Sequence, residues 1–395
     1  MLYSYGKVKS FSQKRAKKRG KKMKEIMDKM KIKKTLTERQ KVSYASDHID
    51  LPENGVDCFE GCNPYGFPAV VHEVYKNFDV SRMGPYPHSP AFFNAIHEFW
   101  EECVDVEKDN VVLADGSINA IYIINNIFDT HNAKVYGISP QFADYYENAQ
   151  FQGLTYDPYV LKRENNYKLN IDEFIENIDD RYNYVYIDNP NNPTGQAVPV
   201  ADIEKIVQKA AEYGIIVIVD EAYGDFMDKS NSAVNIFNKY LNLIVIRTMS
   251  KGFGLAGLRV GYIISNKEFV GYMNSMTNPY NVGELARELA AAALRNGGDI
   301  EEHKKAFARQ KEKIAQVTGK NIKIAETLPT SSLILAYTDV PGVDMKAELY
   351  KRGALVVSGA DFMSLDASAA RIRLPKEEDS QKLIDALADL EKTLG

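Results

Sequence analysis

Val245-Ile246-Arg247-Thr248-Met249-Ser250-Lys251-Gly252-Phe253-Gly254-Leu255-Ala256-Gly257-Leu258-Arg259 is the stretch on which the reading of this chain turns. An apolar run with the composition of a buried strand leads into hydroxyl side chains, then one lysine, then a glycine-rich turn. An arginine stands eight residues beyond the lysine. Hydroxyls and a guanidinium suit the oxygens of an anion, and a lysine amine beside them suits a carbonyl carbon. The glycines also spell GxGxxG after a strand, the pattern of a dinucleotide-binding turn. That reading requires a strand ending in an acidic residue about 20 positions later, and none follows.

Working outward, short apolar runs alternate with amphipathic helical stretches. Residues 111–114, 133–138, 184–188, 215–220, 243–247 and 260–264 read as buried strands, with helices over 119–128 and 200–213. Such alternation predicts an α/β fold around a mostly parallel, doubly wound sheet. Ligands of such sheets bind beyond the carboxyl ends of the strands. Asp115 to Ser117, Asp188, Asp220 and Thr248 to Lys251 all fall there. Further on, helices over 284–295, 301–317 and 343–352, and one starting at Asp379, mix with apolar runs at 333–336, 355–357 and 370–374. This pattern predicts a smaller α+β domain. The expected division is a basic N-terminal extension or linker (1–43), a large domain (76–283), and a small domain built from 44–75 and 284–395.

The chain has 395 residues, 45% hydrophobic and 26% charged, the balance of an ordinary globular protein of about two domains. No stretch approaches the roughly 20 apolar residues of a membrane span. The N-terminus has no apolar core of a secretory signal. Three cysteines, Cys58, Cys62 and Cys103, exclude a disulfide framework and fit a reducing cytoplasm. No Cys or His cluster completes a metal site around Cys58 and Cys62, so no metal is expected. The net charge of −5 is unevenly spread. Residues 1–41 carry 16 Lys/Arg against 3 Asp/Glu, or +13, and the rest 33 against 51, or −18. The basic run 14–22 suits nucleic acid or an anionic membrane surface, and equally a solvated tail or a linker to a fused domain. No interleaved aromatics favour nucleic acid.

Four motifs at strand ends carry chemistry. The lysine segment is one. Asp188-Asn189-Pro190-Asn191-Asn192-Pro193-Thr194-Gly195 is the second: its prolines fix the backbone, so that an amide such as Asn192 is aimed rigidly. An ordinary turn has the same composition. The third is Val219-Asp220-Glu221-Ala222-Tyr223. A carboxylate at the end of an apolar strand needs a partner, and a pyridinium N–H is one. A helix-capping Asp is the alternative. The fourth, Asp115-Gly116-Ser117-Ile118-Asn119, opens a helix whose free N–H groups and dipole suit a phosphate, or is simply a cap.

Together these motifs resemble the class I/II pyridoxal-phosphate-dependent aminotransferases of fold type I, the aspartate aminotransferase superfamily. The resemblance spans about residues 55–395. Within the superfamily it is nearest the histidinol-phosphate aminotransferase and threonine-phosphate decarboxylase group, through Arg247 to Lys251, Leu255 to Arg259, and Asn63-Pro64-Tyr65-Gly66. The resemblance implies a large domain with a seven-stranded sheet and a smaller one. It implies that Lys251 forms the Schiff base with the cofactor and moves the proton, and that Asp220 pairs with the pyridine nitrogen. Asn192 and Tyr223 would bind the ring hydroxyl and Phe142 would stack on the ring. Ser117, Ile118, Thr248, Ser250 and Arg259 would hold the phosphate. Tyr86 would reach the cofactor phosphate of a neighbouring subunit, making the active unit a homodimer. Arg371, Tyr65 and Asn192 would bind substrate. Arg373, two residues along the strand, is assigned to the opposite face with a surface salt bridge.

One departure bears on substrate. Histidinol-phosphate enzymes carry a further arginine on the preceding strand, where this chain reads Leu355-Val356-Val357-Ser358-Gly359. The expected function is therefore amino transfer between an amino acid or related amine, phosphorylated and phosphonate amines included, and a 2-oxo acid. A decarboxylase of the threonine-phosphate type uses the same cradle and is the alternative. A nicotinamide-dependent oxidoreductase and a binding module using the basic tail are the rivals outside this chemistry.

Overall fold

The structure, a computed structural model, describes residues 50–129 and 133–395, and before them residues 29, 30, 33, 35 and 36. Residues 1–41 form one unit and 42–395 another. The basic run 14–22 and the expected start of the globular part near Tyr44 lie outside the described residues. In the first unit, the Leu36 N–H donates to Lys33 O at 3.0 Å.

After β1 (Val56–Asp57) the chain lays down one large sheet: β2 (Val111–Ala114), β3 (Lys134–Ser139), β4 (Thr155–Val160), β5 (Tyr184–Asp188), β6 (Ile216–Asp220), β7 (Leu243–Thr248) and β8 (Gly261–Ile264). The order across it is β2-β8-β7-β6-β5-β3-β4. Six strands run the same way, and β8 is antiparallel to both its neighbours. The reason these strands are apolar throughout is that both faces are covered. In β6, Val217 and Val219 join one core and Ile218 the other. In β7, Leu243 and Val245 face one way, Ile244 and Ile246 the other. Helices Ser117–Asn125 and Ala143–Gln152 cover one face, and Ala91–Trp100 and Val200–Ala211 the other. The expected α/β architecture is what the chain adopts.

Strand β4 has no counterpart among the expected strands, and Pro158 is the reason. Proline lacks an N–H and is confined to edges, and β4 is the edge strand, paired with β3 alone.

The second sheet joins β9 (Ile322–Ile324), β10 (Leu333–Thr338), β12 (Val357–Ser358) and β13 (Ala369–Arg373) in the antiparallel order β12-β13-β10-β9. The intervening β11 (Ala354–Leu355) pairs in parallel with β1 instead. The single run expected over 355–357 is thus divided at Val356 between two sheets. Helices Ile300–Val317 and Ser380–Thr393 pack on this body through Phe307, Ile314, Leu383 and Leu387. The helix Glu284–Asn296 packs elsewhere. Its Leu289, Ala290 and Ala293 share a core with Phe92, Ile96 and Trp100, on the large-sheet side. No helix among the described residues is long and apolar enough to cross a membrane.

Candidate active site

Because β2, β3, β5, β6 and β7 run the same way, their carboxyl ends converge on one edge of the sheet. A cavity of about 690 Å³ opens there. Its walls bring together Ser117 and Ile118 after β2, Phe142 after β3, Asn192 after β5, and Asp220 and Tyr223 at the end of β6. Ser250, Lys251 and Arg259 close it from the turn between β7 and β8. Nine residues scattered over 143 positions of sequence therefore face one space.

The lysine turn is a hairpin connection. Thr248 pairs with Gly261, and the Met249 N–H donates to Val260 O at 2.9 Å. A dinucleotide turn leads instead into a helix and a parallel strand. Here a three-residue 3-10 helix (Ala256–Leu258) leads straight into antiparallel β8, which removes the dinucleotide reading. The glycines have other duties. At Gly254 (φ +65°) a Cβ would stand 2.1 Å from Gly66 O, and at Gly252 one would stand 2.3 Å from the Asp225 Cβ. The turn is pressed between the Asn63 loop and Asp225, and Asn63 donates from its backbone to Lys251 O at 3.1 Å. The Lys251 Nζ lies 5.4 Å from the Tyr223 ring centroid.

Asp220 accepts from the Tyr186 hydroxyl at 2.6 Å and from the Ala222 N–H at 2.9 Å. Burial raises its carboxyl to about 6; those donors and Lys251 pull it down, and Glu221 pushes it up. Asp188, its register neighbour on β5, is raised by burial to about 7. Beneath the turn, Arg247 is buried between Glu221 (2.9 Å) and Asp225, so the β7 cation is neutralised by the loop that follows β6.

The helix Ser117–Asn125 begins at Gly116 (φ 80°) without a side-chain cap, leaving its first N–H groups for an anion. The Arg259 guanidinium lies over Gly116, where a Cβ would stand 2.4 Å from a guanidinium nitrogen. Across the cavity, the Asn192 Oδ1 is buried with no hydrogen-bond partner among the described residues. An amine, a carboxylate, a guanidinium, an uncapped helix start and an unmatched amide in one cavity fit pyridoxal phosphate, which carries an aldehyde, a pyridine nitrogen, a phosphate and a ring hydroxyl.

Four expected site residues stand off the cavity wall. The Thr248 hydroxyl is turned inward, 2.9 Å from Ser250 Oγ and 3.1 Å from Val260 O. Tyr65 accepts from the Glu377 N–H at 2.9 Å and stacks on His303 at 4.1 Å. Tyr86 is 69% exposed and stacks on Tyr280. Arg371 is buried and donates to Phe59 O. The placement of Arg373 on an opposite, exposed face is overturned. Residues two apart on a strand share a face. Arg373 is buried, donates to Glu60 O and Asp57 O, each at 2.8 Å, and meets the Asp57 carboxylate at 3.2 Å. No metal-binding group of His, Cys, Asp and Glu occurs among the described residues. Missed from sequence were Tyr186, Gln141 and Gly61. The tyrosine looked like any strand aromatic. A Cβ on Gly61 would stand 2.0 Å from the Tyr223 hydroxyl, a closeness that nothing local announces.

Residues 60–387 match the family model of class I and II aminotransferases. The chain is 32% identical over 334 residues to a histidinol-phosphate aminotransferase of Thermoanaerobacter pseudethanolicus, covering 83% of this chain and 90% of that one. It is 31% identical over 292 residues to the enzyme of the same name from Francisella philomiragia, covering 72% and 79%. Among solved structures, the histidinol-phosphate aminotransferase of Clostridium acetobutylicum superposes with a TM-score of 0.75 at 27% identity, covering 86% of this chain and 99% of that one. A Thermus thermophilus aspartate aminotransferase mutant shares the fold, with a TM-score of 0.74 at 20% identity over 85% and 96% of the two chains.

Proposed function

This chain belongs to the class I and II aminotransferases and uses pyridoxal 5′-phosphate, and from that premise we propose that it moves an amino group between a phosphorylated amine of the histidinol-phosphate kind and a 2-oxo acid. The observation that carries the reaction is the meeting of Lys251, Asp220 and Asn192 in one cavity. The names of the relatives carry the substrate class, and they do not favour the decarboxylase alternative.

Bound cofactor supplies an aldehyde that takes the amino group and a ring that accepts the electron pair of the broken Cα–H bond. The residues do the rest. The Lys251 Nζ would hold the cofactor's aldehyde carbon and, as a free amine, would be the base that takes the α-proton and returns it. The Asp220 carboxylate accepts the pyridine N–H and keeps that nitrogen protonated. The Asn192 amide and the Tyr223 hydroxyl hold the ring oxygen, and Phe142 covers the ring. The N–H groups of Ser117 and Ile118, the Ser250 hydroxyl and the Arg259 guanidinium take the phosphate, with Thr248 holding Ser250 in place. Arg371 and Tyr65 serve the substrate anion, and the planar guanidinium fork suits a carboxylate or a phosphate. The large body, 76–283 with the helix Glu284–Asn296 packed on it, carries the cofactor, and 50–75 with 297–395 form the small one. The active unit is a cytoplasmic homodimer in which exposed Tyr86 reaches the partner's cofactor phosphate. The small cysteine content supports the compartment.

An amino-donor screen tests the substrate. Histidinol phosphate, common amino acids and phosphonate amines are each offered with 2-oxoglutarate. The expected result is a new amino acid formed from the oxo acid, fastest with a phosphorylated donor. Carbon dioxide released without amino transfer would replace the reading with decarboxylation.

A further inference from the structure

Of the four charged side chains lining the cavity, Lys251, Asp220 and Arg259 have places in the reaction above and Asp188 has none. Asp188 ends β5, 5% exposed, beside Asp220 at the end of β6. The protein fills its oxygens. Oδ1 accepts from Asn191 Nδ2 at 2.9 Å and Gln141 Nε2 at 3.3 Å, and Oδ2 from the Asn192 N–H at 2.9 Å. Asp188 thus grips the turn from which Asn192 faces the cavity, its Oδ1 without a hydrogen-bond partner among the described residues.

Behind Asp188 the donor Gln141 belongs to a chain with two consistent arrangements. The Tyr156 hydroxyl is within hydrogen-bond distance of both Ile138 O and Gln141 Oε1, the latter at 2.7 Å. A phenol has one proton and satisfies one acceptor at a time. When it donates to Gln141 Oε1, Gln141 Nε2 donates to Asp188, which suits an ionised carboxylate. When it donates to Ile138 O, the turned amide donates from Nε2 to the phenol oxygen. Gln141 Oε1 then faces Asp188, which must carry a proton to meet it. The two ends of an amide are nearly the same size, so turning it needs no repacking.

We propose that Asp188 is a positioning residue of the aminotransferase reaction, and that its uptake of one proton, with rotation of the Gln141 amide against Tyr156, loosens its hold on the Asn192 turn. The proton enters from solvent through the cavity that Asp188 lines. The phenol proton swings from Gln141 to Ile138 by rotation about the C–O bond, and no other bond forms or breaks. Burial raises the Asp188 carboxyl to about 7; its donors pull it down, and Asp220 pushes it up. The groups facing it are Asp220 from β6, Tyr156 from β4 and Tyr186 from its own strand, with Lys251 on the same cavity. Burial pushes both tyrosines far above their ordinary range, so they stay neutral. A raised carboxyl is charged above about 7 and neutral below it, so the hold on Asn192 is full on the alkaline side.

The inference rests on the reading of Asn192 as a cofactor contact. Its test is the pH profile of kcat for the wild-type holoenzyme, Asp188→Asn and Tyr156→Phe. Wild type shows an acid limb near pH 7. Asp188→Asn loses that limb and stays roughly tenfold below the wild-type plateau. Tyr156→Phe leaves Gln141 favouring the charge-assisted bond to ionised Asp188, and its limb moves down by about one pH unit. An unchanged midpoint in Tyr156→Phe overturns the switch, and that variant decides alone if Asp188→Asn does not fold. The same titration, followed without donor on the visible absorbance of the bound cofactor, separates a wrong donor from a wrong switch. Midpoints that differ there while no donor turns over sink the substrate reading and leave the switch standing.

Discussion

Gly61 brings the backbone so close to Tyr223 that a Cβ there would stand 2.0 Å from its hydroxyl, and it would be in ordinary contact, 3.4 Å, with the lysine amine. An amine confined between a ring and a backbone has few places to go, which is what a group that attaches, leaves and returns a proton requires. Lys251→Ala is expected to abolish the visible absorbance of the bound cofactor and to lower turnover by at least about 100-fold. Absorbance retained at the wild-type wavelength would remove the lysine from its role. Lys251, Asp220 and Asn192 were legible as candidates because each is a polar residue at the end of an apolar run, where it needs a reason to be. Thr248 and Ser250 looked alike by the same test. Which hydroxyl faces the cavity is set by the end of β7 at Thr248, whose hydroxyl is tied to Val260 O across the hairpin, while Ser250 in the turn beyond lines the cavity.

Among elements, the lysine turn shows how one motif admits two folds. Gly252, Gly254 and Gly257 fit a dinucleotide turn by spacing, yet they meet different surroundings here. Gly254 sits at φ +65° against the Gly66 carbonyl, whereas a Cβ on Gly257 would meet nothing within 4 Å. Gly254→Ala is expected to destabilise the protein by about 2 kcal/mol or more, from the left-handed backbone and the clash together. Gly257→Ala should stay within about 0.5 kcal/mol of wild type. Urea unfolding midpoints of the two variants check this, and equal losses would contradict the packing described. The same contrast holds for strands. Apolar β-branched runs such as β6 were legible because a strand covered on both faces must be apolar. β4 was hidden by Pro158 and β1 by its length of two residues. Only their partners, β3 and β11, make them strands.

For the whole molecule, charge divides what the sequence does not otherwise separate. The match to the aminotransferase family begins at residue 60, well beyond the segment carrying +13. Removal of residues 1–41 is expected to leave kcat within about twofold and to weaken retention on a polyanion column. A collapse of turnover would tie the basic segment to the active site. The cofactor chemistry was determined by the sequence, because the lysine, the strand-end aspartate, the Asn-Pro turn and the glycine-capped helix start are local signals. Each depends on residue type and on neighbours a few positions away. What only the tertiary structure decided are relations across sequence distance. The two carboxylates of Asp188 and Asp220 share one edge, Gln141 and Tyr156 stand behind the first, and Arg371 and Arg373 both reach back to the 57–60 segment. Those relations follow from strand order and register. Strand order and register come from burying two faces of a sheet at once, which no single segment can specify alone.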